Sequence, residues 1–379
     1  MPAHPTLPPE SKRILDIART DKIAATRALA ELRLEQQAAL VCETPVGRRA
    51  ELLNLTPFPE EVVPQIPEAE LCFTVKAIGL ADASWLLEYA TPEQVVACVD
   101  LDGWTGLTPD REAIDSWMDA LSETSTGSFL RSVRSLDAEI VVLYLSDRIL
   151  VVQKPDEKEG WDPPDGSQSL DGQFYFTARA DDDDIASIVK MLQQLFEQDY
   201  WTYFRMMQGT IWELDSANEE WALRWRSGRL QDLGFPPWDD SMSIYRYVAV
   251  DERAAIPEGA HPFDVGEWHL PLWIPDLPAE ADSRHLIFRT IPLLEDAERR
   301  SAFYAFVAIA NKVAVADEMK LSDAEFAPRA IEKAAHFISA GLEHIAAAHR
   351  MEAVLVLRRV PMERLFRVGA NLDAERARR

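Results

Sequence analysis

Cysteine is scarce in this sequence: Cys42, Cys72 and Cys98 are the only three in 379 residues. Their odd number, wide spacing and lack of any CxxC exclude a disulfide framework and a cysteine-based zinc site. Buried, reduced thiols are the expectation. Basic residues are also short, 39 Lys and Arg against 64 Asp and Glu, for a formal net charge of −25. A field of that sign repels phosphate, which argues against nucleic acid and anionic membrane surfaces as partners. The basic tail Arg376-Ala-Arg378-Arg379 reads as a solvated end. Long hydrophobic runs are missing as well. The longest, Ile140–Leu145, stops at Asp147 and Arg148, far short of the roughly twenty residues a membrane span needs. Met1-Pro-Ala-His-Pro opens without the basic and apolar regions of a secretory signal, so a cytoplasmic location is expected.

Catalytic signatures are absent too. HExxH, GxSxG, the P-loop and GxGxxG do not occur, which lowers the standing of the metalloprotease, α/β-hydrolase, P-loop NTPase and Rossmann classes. Glu332 and His336 stand i,i+4, but one such pair falls short of the two a di-metal bundle needs. Asp100-Leu-Asp-Gly-Trp-Thr-Gly106 has a calcium-loop look, yet it lacks the further oxygen ligands and reads as a turn. Asp181–Asp184 precede the apolar-periodic Ile185, Ile188, Val189 and Leu192, where four carboxylates suit the positive end of a helix. No metal or cofactor is implied.

What is present is helix. With 47% hydrophobic and 27% charged residues, the composition is that of a globular chain with a large core. Residues 10–44 carry helical periodicity almost free of glycine and proline, read as two helices joined near Thr20-Asp21. Residues 45–121 break into short helices with clear starts, among them Thr91-Pro-Glu-Gln94, Thr108-Pro-Asp-Arg-Glu112, Ile66-Pro-Glu and Leu80-Ala-Asp-Ala-Ser. Helices so short must stack to bury their apolar faces, so a solenoid-like arrangement is expected. Ile149–Gln153 and Gln173–Thr177 flank a Pro- and Gly-rich loop and are expected to pair as one small β-hairpin. The fold class is therefore mainly α, with at most that hairpin. The domains expected are a helical N-terminal domain over 1–153 and a helical C-terminal domain over 171–379, the latter with a Pro-rich crossover at about 249–283.

The most specified stretch is Ser216–Gly234. Ser216 with Glu219 resembles a capping box, and Gly234 before Pro236-Pro237 signals a stop. At 100° per residue, Trp221, Trp225, Gly228, Arg229 and Asp232 share one face. Glu219, Leu223, Arg226, Leu230 and Leu233 share another, and Glu220, Arg224, Ser227 and Gln231 form a polar third. Two apolar-leaning faces imply a central helix packed on both sides. Every arginine here has an acid within reach, which favours an internal ion-pair network that sets how neighbouring helices dock. The alternative is a small-anion site lined by Trp221, Trp225, Arg226, Arg229 and Asp232, since a guanidinium fork suits an oxyanion.

Four phrases resemble a bacterial family known as domain of unknown function 6178: Asp100-Leu-Asp-Gly-Trp104, Leu170-Asp-Gly172, Glu219–Phe235 and Pro361-Met-Glu-Arg-Leu-Phe-Arg367. The resemblance implies a soluble, mainly helical protein and carries no activity with it. Separately, the short Pro-Glu-initiated helices of residues 45–121 resemble the helical cytoplasmic domain of MgtE-type magnesium transporters and of FliG-like motor proteins, which are regulatory or assembly modules. The function expected is an interaction or regulatory scaffold with one or more protein partners. The alternative is an enzyme or sensor that binds a small anion around residues 216–234.

Overall fold

The computed structural model describes residues 9–155, 160–180, 185–257 and 284–377. Among these the chain is mainly α, with twenty α-helices and two small antiparallel sheets of two strands each. It divides into two compact units, the break falling after Arg226. Asp181–Asp184 and most of the Pro-rich crossover, with Trp268 and Trp273, lie outside the described residues.

The first unit opens with three helices, one more than the periodicity predicts: α1 (Pro9–Ala18), α2 (Lys22–Ala30) and α3 (Leu34–Glu43). The extra break lies at Arg33, whose extended backbone lets its N–H donate to the Gln36 side chain and open a new helix. Short helices follow: α4 (Arg49–Leu53), α5 (Pro59–Val62), α6 (Glu68–Ile78), α7 (Ser84–Leu87) and α8 (Pro92–Asp102). Thr91 and Gln94 form the expected capping box, and Gln94 is buried, its amide also donating to the Val63 and Ile66 carbonyls. A buried ion pair ties α4 to α6. Arg49 meets Glu70 at 2.7 Å and spends its other donors on the Thr44 and Cys42 carbonyls.

All three cysteines are buried and free. Burial pushes the Cys42 thiol up to about 12 and the Cys98 thiol well above its usual value, so neither is a nucleophile at neutral pH.

Thr108-Pro109 does not start a helix. It is β2, paired with β1 (Trp104–Thr105) across a turn at Gly106, where φ is +61°. The next helix, α9 (Arg111–Ser122), is capped two residues after Thr108 by Asp110, which accepts from the Ala113 N–H. Then come α10 (Thr126–Ser135) and α11 (Ala138–Arg148). The predicted hairpin is present as β3 (Ile149–Gln153) with β4 (Phe174–Ala178), Val151 opposite Phe176. It lies inside the first unit rather than at its edge, because Phe174 and Phe176 are fully buried and Phe174 packs against Tyr203 and Phe204. These rings belong to α13 (Tyr200–Trp212), which follows α12 (Ala186–Gln198). Gly209 lets α13 approach α11: a Cβ there would meet Val142 at 2.7 Å.

Glu88 shows how the short helices interlock. Its carboxylate accepts from the Ser125 N–H and hydroxyl and from the Ser128 hydroxyl, closing the N-terminus of α10. Desolvation raises the Glu88 pKa, but these hydrogen bonds together outweigh it and hold the group below its usual value of 4.5. A folded pKa below the unfolded one contributes stability above about pH 4.5 that is lost as pH falls through the folded value. Glu88→Gln is therefore expected to narrow its melting-temperature gap to the parent below that pH. Parallel melting curves from pH 7 to 3 would contradict this account.

The helix α14 (Asp215–Asp232) runs across the division between units. The second unit continues with α15 (Trp238–Met242), α16 (Leu286–Thr290), α17 (Asp296–Ala316), α18 (Phe326–His349), α19 (Ala353–Leu357) and α20 (Met362–Ala377). Ser322–Glu325 form a turn before α18, with Asp323 accepting from the Glu325 N–H. Pro361 separates α19 from α20, since proline disfavours helical backbone at the residue before it. The core of this unit is the antiparallel pair α18 and α20, built around Ile338, Leu342, Leu365 and Phe366.

Candidate functional site

α14 starts one residue before Ser216. The Leu214 carbonyl accepts from the Ala217 and Asn218 N–H groups, so Leu214 rather than Ser216 occupies the cap. Its end follows the sequence signal. Gly234 has φ +84°, its N–H bonds to the Gln231 carbonyl, and the Phe235 N–H reaches back to Leu230. Phe235 is then buried edge-on against Phe326.

The faces of α14 differ in burial. Asn218, Ala222, Arg226 and Leu230, each four residues from the last, are all buried. Trp221 and Trp225 lie toward the other side, 47% and 49% exposed, with Gly228 and Asp232 exposed on the same stripe. Packing on two sides predicts a buried tryptophan face. Instead a small residue, an amide and an arginine do the packing, and the indoles face water.

Arg226 is 9% exposed and docks against the C-terminal end of α8 and the turn that follows it. Its Nε donates to the Asp100 carbonyl at 2.7 Å, Nη1 approaches the Gly106 carbonyl at 3.5 Å, and the guanidinium lies over the Trp104 ring, 4.9 Å from the centroid. Asp102, the last residue of α8, accepts from the buried Trp117 Nε1 at 3.0 Å and pairs with Lys76. The Asp100–Gly106 segment that looks like a calcium loop is thus a receptor for Arg226, and its second carboxylate is committed to an indole and an ammonium. Nearby, Arg111 bridges Asp147 at 2.9 Å and Glu219 at 2.7 Å, tying the first half of α14 to α9 and α11. Desolvation raises the Asp147 carboxyl despite this partner.

On the water side, the Trp221 and Trp225 rings stack with centroids 6.1 Å apart and 26° between planes, and Arg224 lies over Trp221 at 5.3 Å. The preceding helix repeats the theme. Trp201 is 76% exposed and Trp212 71% exposed, with Arg205 exposed between them. Eleven residues bring them about 20° apart on one face, roughly 16 Å along α13. Leu214, in the link to α14, is exposed as well.

Of the five residues singled out from the sequence, Trp221, Trp225 and Asp232 therefore share the exposed stripe, Arg229 is half-buried, and Arg226 is turned inward. The tryptophan pair and Arg226 do not line one pocket. Sequence reasoning missed the exposure of Trp201 and Trp212. Their 11-residue spacing was the available signal, but in a helix of thirteen residues with five aromatics it is indistinguishable from core periodicity.

With the fold and the surroundings of α14 described, the chain is defined by its family. It matches the family described as "Family of unknown function (DUF6178)" over residues 26–379, and it belongs to that family. No curated protein and no solved structure matches it. Among the described residues, no helix is long and apolar enough to cross a membrane.

Proposed function

We propose that this protein is an interaction or regulatory scaffold that docks a protein partner through the solvent face of α14. One observation carries this reading: two stacked indoles stand half-exposed on a helix whose buried side is made of Asn218, Ala222 and Arg226. Exposed tryptophans beside arginine have the composition of interface hot spots, where large apolar area is buried on binding. Trp201, Trp212 and Leu214 add to the apolar surface available. The short helices of residues 45–121, similar to the regulatory domains of MgtE-type transporters and FliG-like proteins, agree with such a role. So do the net charge of −25, which disfavours nucleic acid, and the reduced thiols, which suit the cytoplasm. The alternative anion site is weakened because the Nε of Arg226 is committed to a backbone carbonyl.

The test is the double substitution Trp221→Ser with Trp225→Ser. Truncating half-exposed side chains is expected to leave the melting temperature within about 2–3 °C, since surface changes cost little. Affinity purification from native cells is expected to recover a stoichiometric partner with the parent chain and lose it with the double variant. Equal recovery by both chains, or a strictly monomeric parent with no specific partner, would remove this reading.

A further inference from the structure

A second feature lies away from the indole face, inside the first unit. A cleft of about 880 Å³ opens between the end of α9, the C-terminal half of α11 and the start of α12. Its walls carry opposite charges. From the end of α9 come Asp119 and the C-cap residue Glu123, one turn apart and both exposed. From α11 and α12 come Arg148 and Lys190.

The carboxylates are misplaced by local rules. Like charges at i,i+4 repel, and the C-terminal turn of a helix favours cations. α9 has no basic residue in that turn, and neither side-chain carboxylate has a described hydrogen-bond or ion-pair partner, the Ser122 hydroxyl donating to the backbone carbonyl of Asp119. The cations are only partly used. Lys190 donates to the Ser122 carbonyl at 2.6 Å, and an ammonium has two further N–H groups. Arg148 turns Nε and Nη2 to one oxygen of Asp115, at 3.0 and 2.7 Å, which leaves the Nη1 edge of its fork. Ser187 and Tyr144 contribute hydroxyls to the same space. Burial holds the Tyr144 phenol neutral, pushed up to about 12.

A ligand of one charge would be repelled by one wall. A nucleotide would also lack an aromatic face, since Tyr144 is buried. A molecule carrying both charges meets both walls favourably. We propose that this cleft binds a zwitterion of the free amino acid class, with its ammonium between Asp119 and Glu123 and its carboxylate against Lys190, the Nη1 edge of Arg148 and Ser187. The volume admits a long side chain or a dipeptide. Such a site would make the scaffold responsive to an amino acid, yet it stands on observations independent of the α14 face.

The experiment is thermal-shift and calorimetric titration of the full chain with the twenty L-amino acids and dialanine, alongside the matching amines, the N-acetyl acids and inorganic phosphate. At least one zwitterion is expected to raise the melting temperature by about 2 °C or more at millimolar concentration, because ligand that binds only the folded state stabilises it by mass action. Its amine and N-acetyl counterparts are expected to bind at least tenfold more weakly. Lys190→Met and Asp119→Asn alter exposed side chains, so both should fold normally and each lower affinity at least tenfold. The Trp221→Ser/Trp225→Ser chain should bind as the parent does, which separates failure here from failure of the docking face. Three outcomes would overturn the proposal: no zwitterion binding, an amine or phosphate binding as tightly as the zwitterion, or binding that survives both variants.

Discussion

Replacing Gly369 with alanine is expected to cost the second unit more stability than any other single methyl group added to it. A Cβ at Gly369 would sit 1.8 Å from the Phe337 carbonyl oxygen, and one at Gly341 would sit 2.0 Å from the Leu365 carbonyl oxygen. The two contacts are reciprocal. Phe337 and Gly341 are one turn apart on α18, Leu365 and Gly369 one turn apart on α20, and each glycine receives the backbone of the opposite helix. Backbone cannot rotate aside as a side chain can, so α18 and α20 would have to separate by more than 1 Å. That would loosen Ile338, Leu342, Leu365 and Phe366, all fully buried. Overpacking typically costs about 1–3 kcal/mol and more where nothing can yield. About 4 kcal/mol or more is expected here, a large share of the roughly 5–15 kcal/mol that holds a domain folded. In thermal melts this should appear as a loss of about 10 °C or more. Gly228→Ala provides the control. Nothing lies within 4 Å of its Cβ position on the exposed side of α14, so it should gain a few tenths to about 1 kcal/mol from helix propensity. If Gly369→Ala melts within 2 °C of the parent, the close crossing does not exist in solution.

Arg226→Met should cost about 3 kcal/mol, whereas truncating its neighbour Trp225 should cost less than about 1 kcal/mol. Methionine keeps most of the volume but removes the charge. The Asp100 carbonyl loses a 2.7 Å charge-assisted hydrogen bond, and the Trp104 ring loses its cation. Hydrogen bonds to charged groups contribute about 1.5–3 kcal/mol, and a desolvated cation–π contact about 2 kcal/mol at most. Trp104 magnifies the effect: it is 5% exposed, and its own Nε1 has no hydrogen-bond partner among the described residues. Denaturant melts of the two single variants measure the contrast directly. A larger loss for Trp225→Ala than for Arg226→Met would mean that the indole face, not the arginine face, packs against the protein.

That contrast marks where local sequence stops being informative. Caps and stops were legible because they depend on a few adjacent residues. The Thr91–Gln94 box and the αL stop at Gly234 are set by hydrogen bonds within one turn. The β3–β4 pairing was legible because alternation on both sides of a turn-rich loop leaves few other registers. Thr108-Pro109 misled because a Thr-Pro start is equally at home before a helix and in a tight turn. Only the pairing of Trp104 with Pro109 chose between them. The cleft was invisible because Asp119, Arg148 and Lys190 are far apart in the chain and none of them belongs to a motif.

Sequence alone determined that this chain is mainly helical, acidic and without a recognisable catalytic signature, and that α14 is its most distinctive helix. These follow from composition, period and capping, which are local. Tertiary structure decided which side of α14 is buried. On a wheel the tryptophan and arginine faces are equally able to pack. The choice fell to the Asp100–Gly106 turn, which offers two carbonyls and the Trp104 ring to a guanidinium. With Arg226 held there, Trp221 and Trp225 are turned to water.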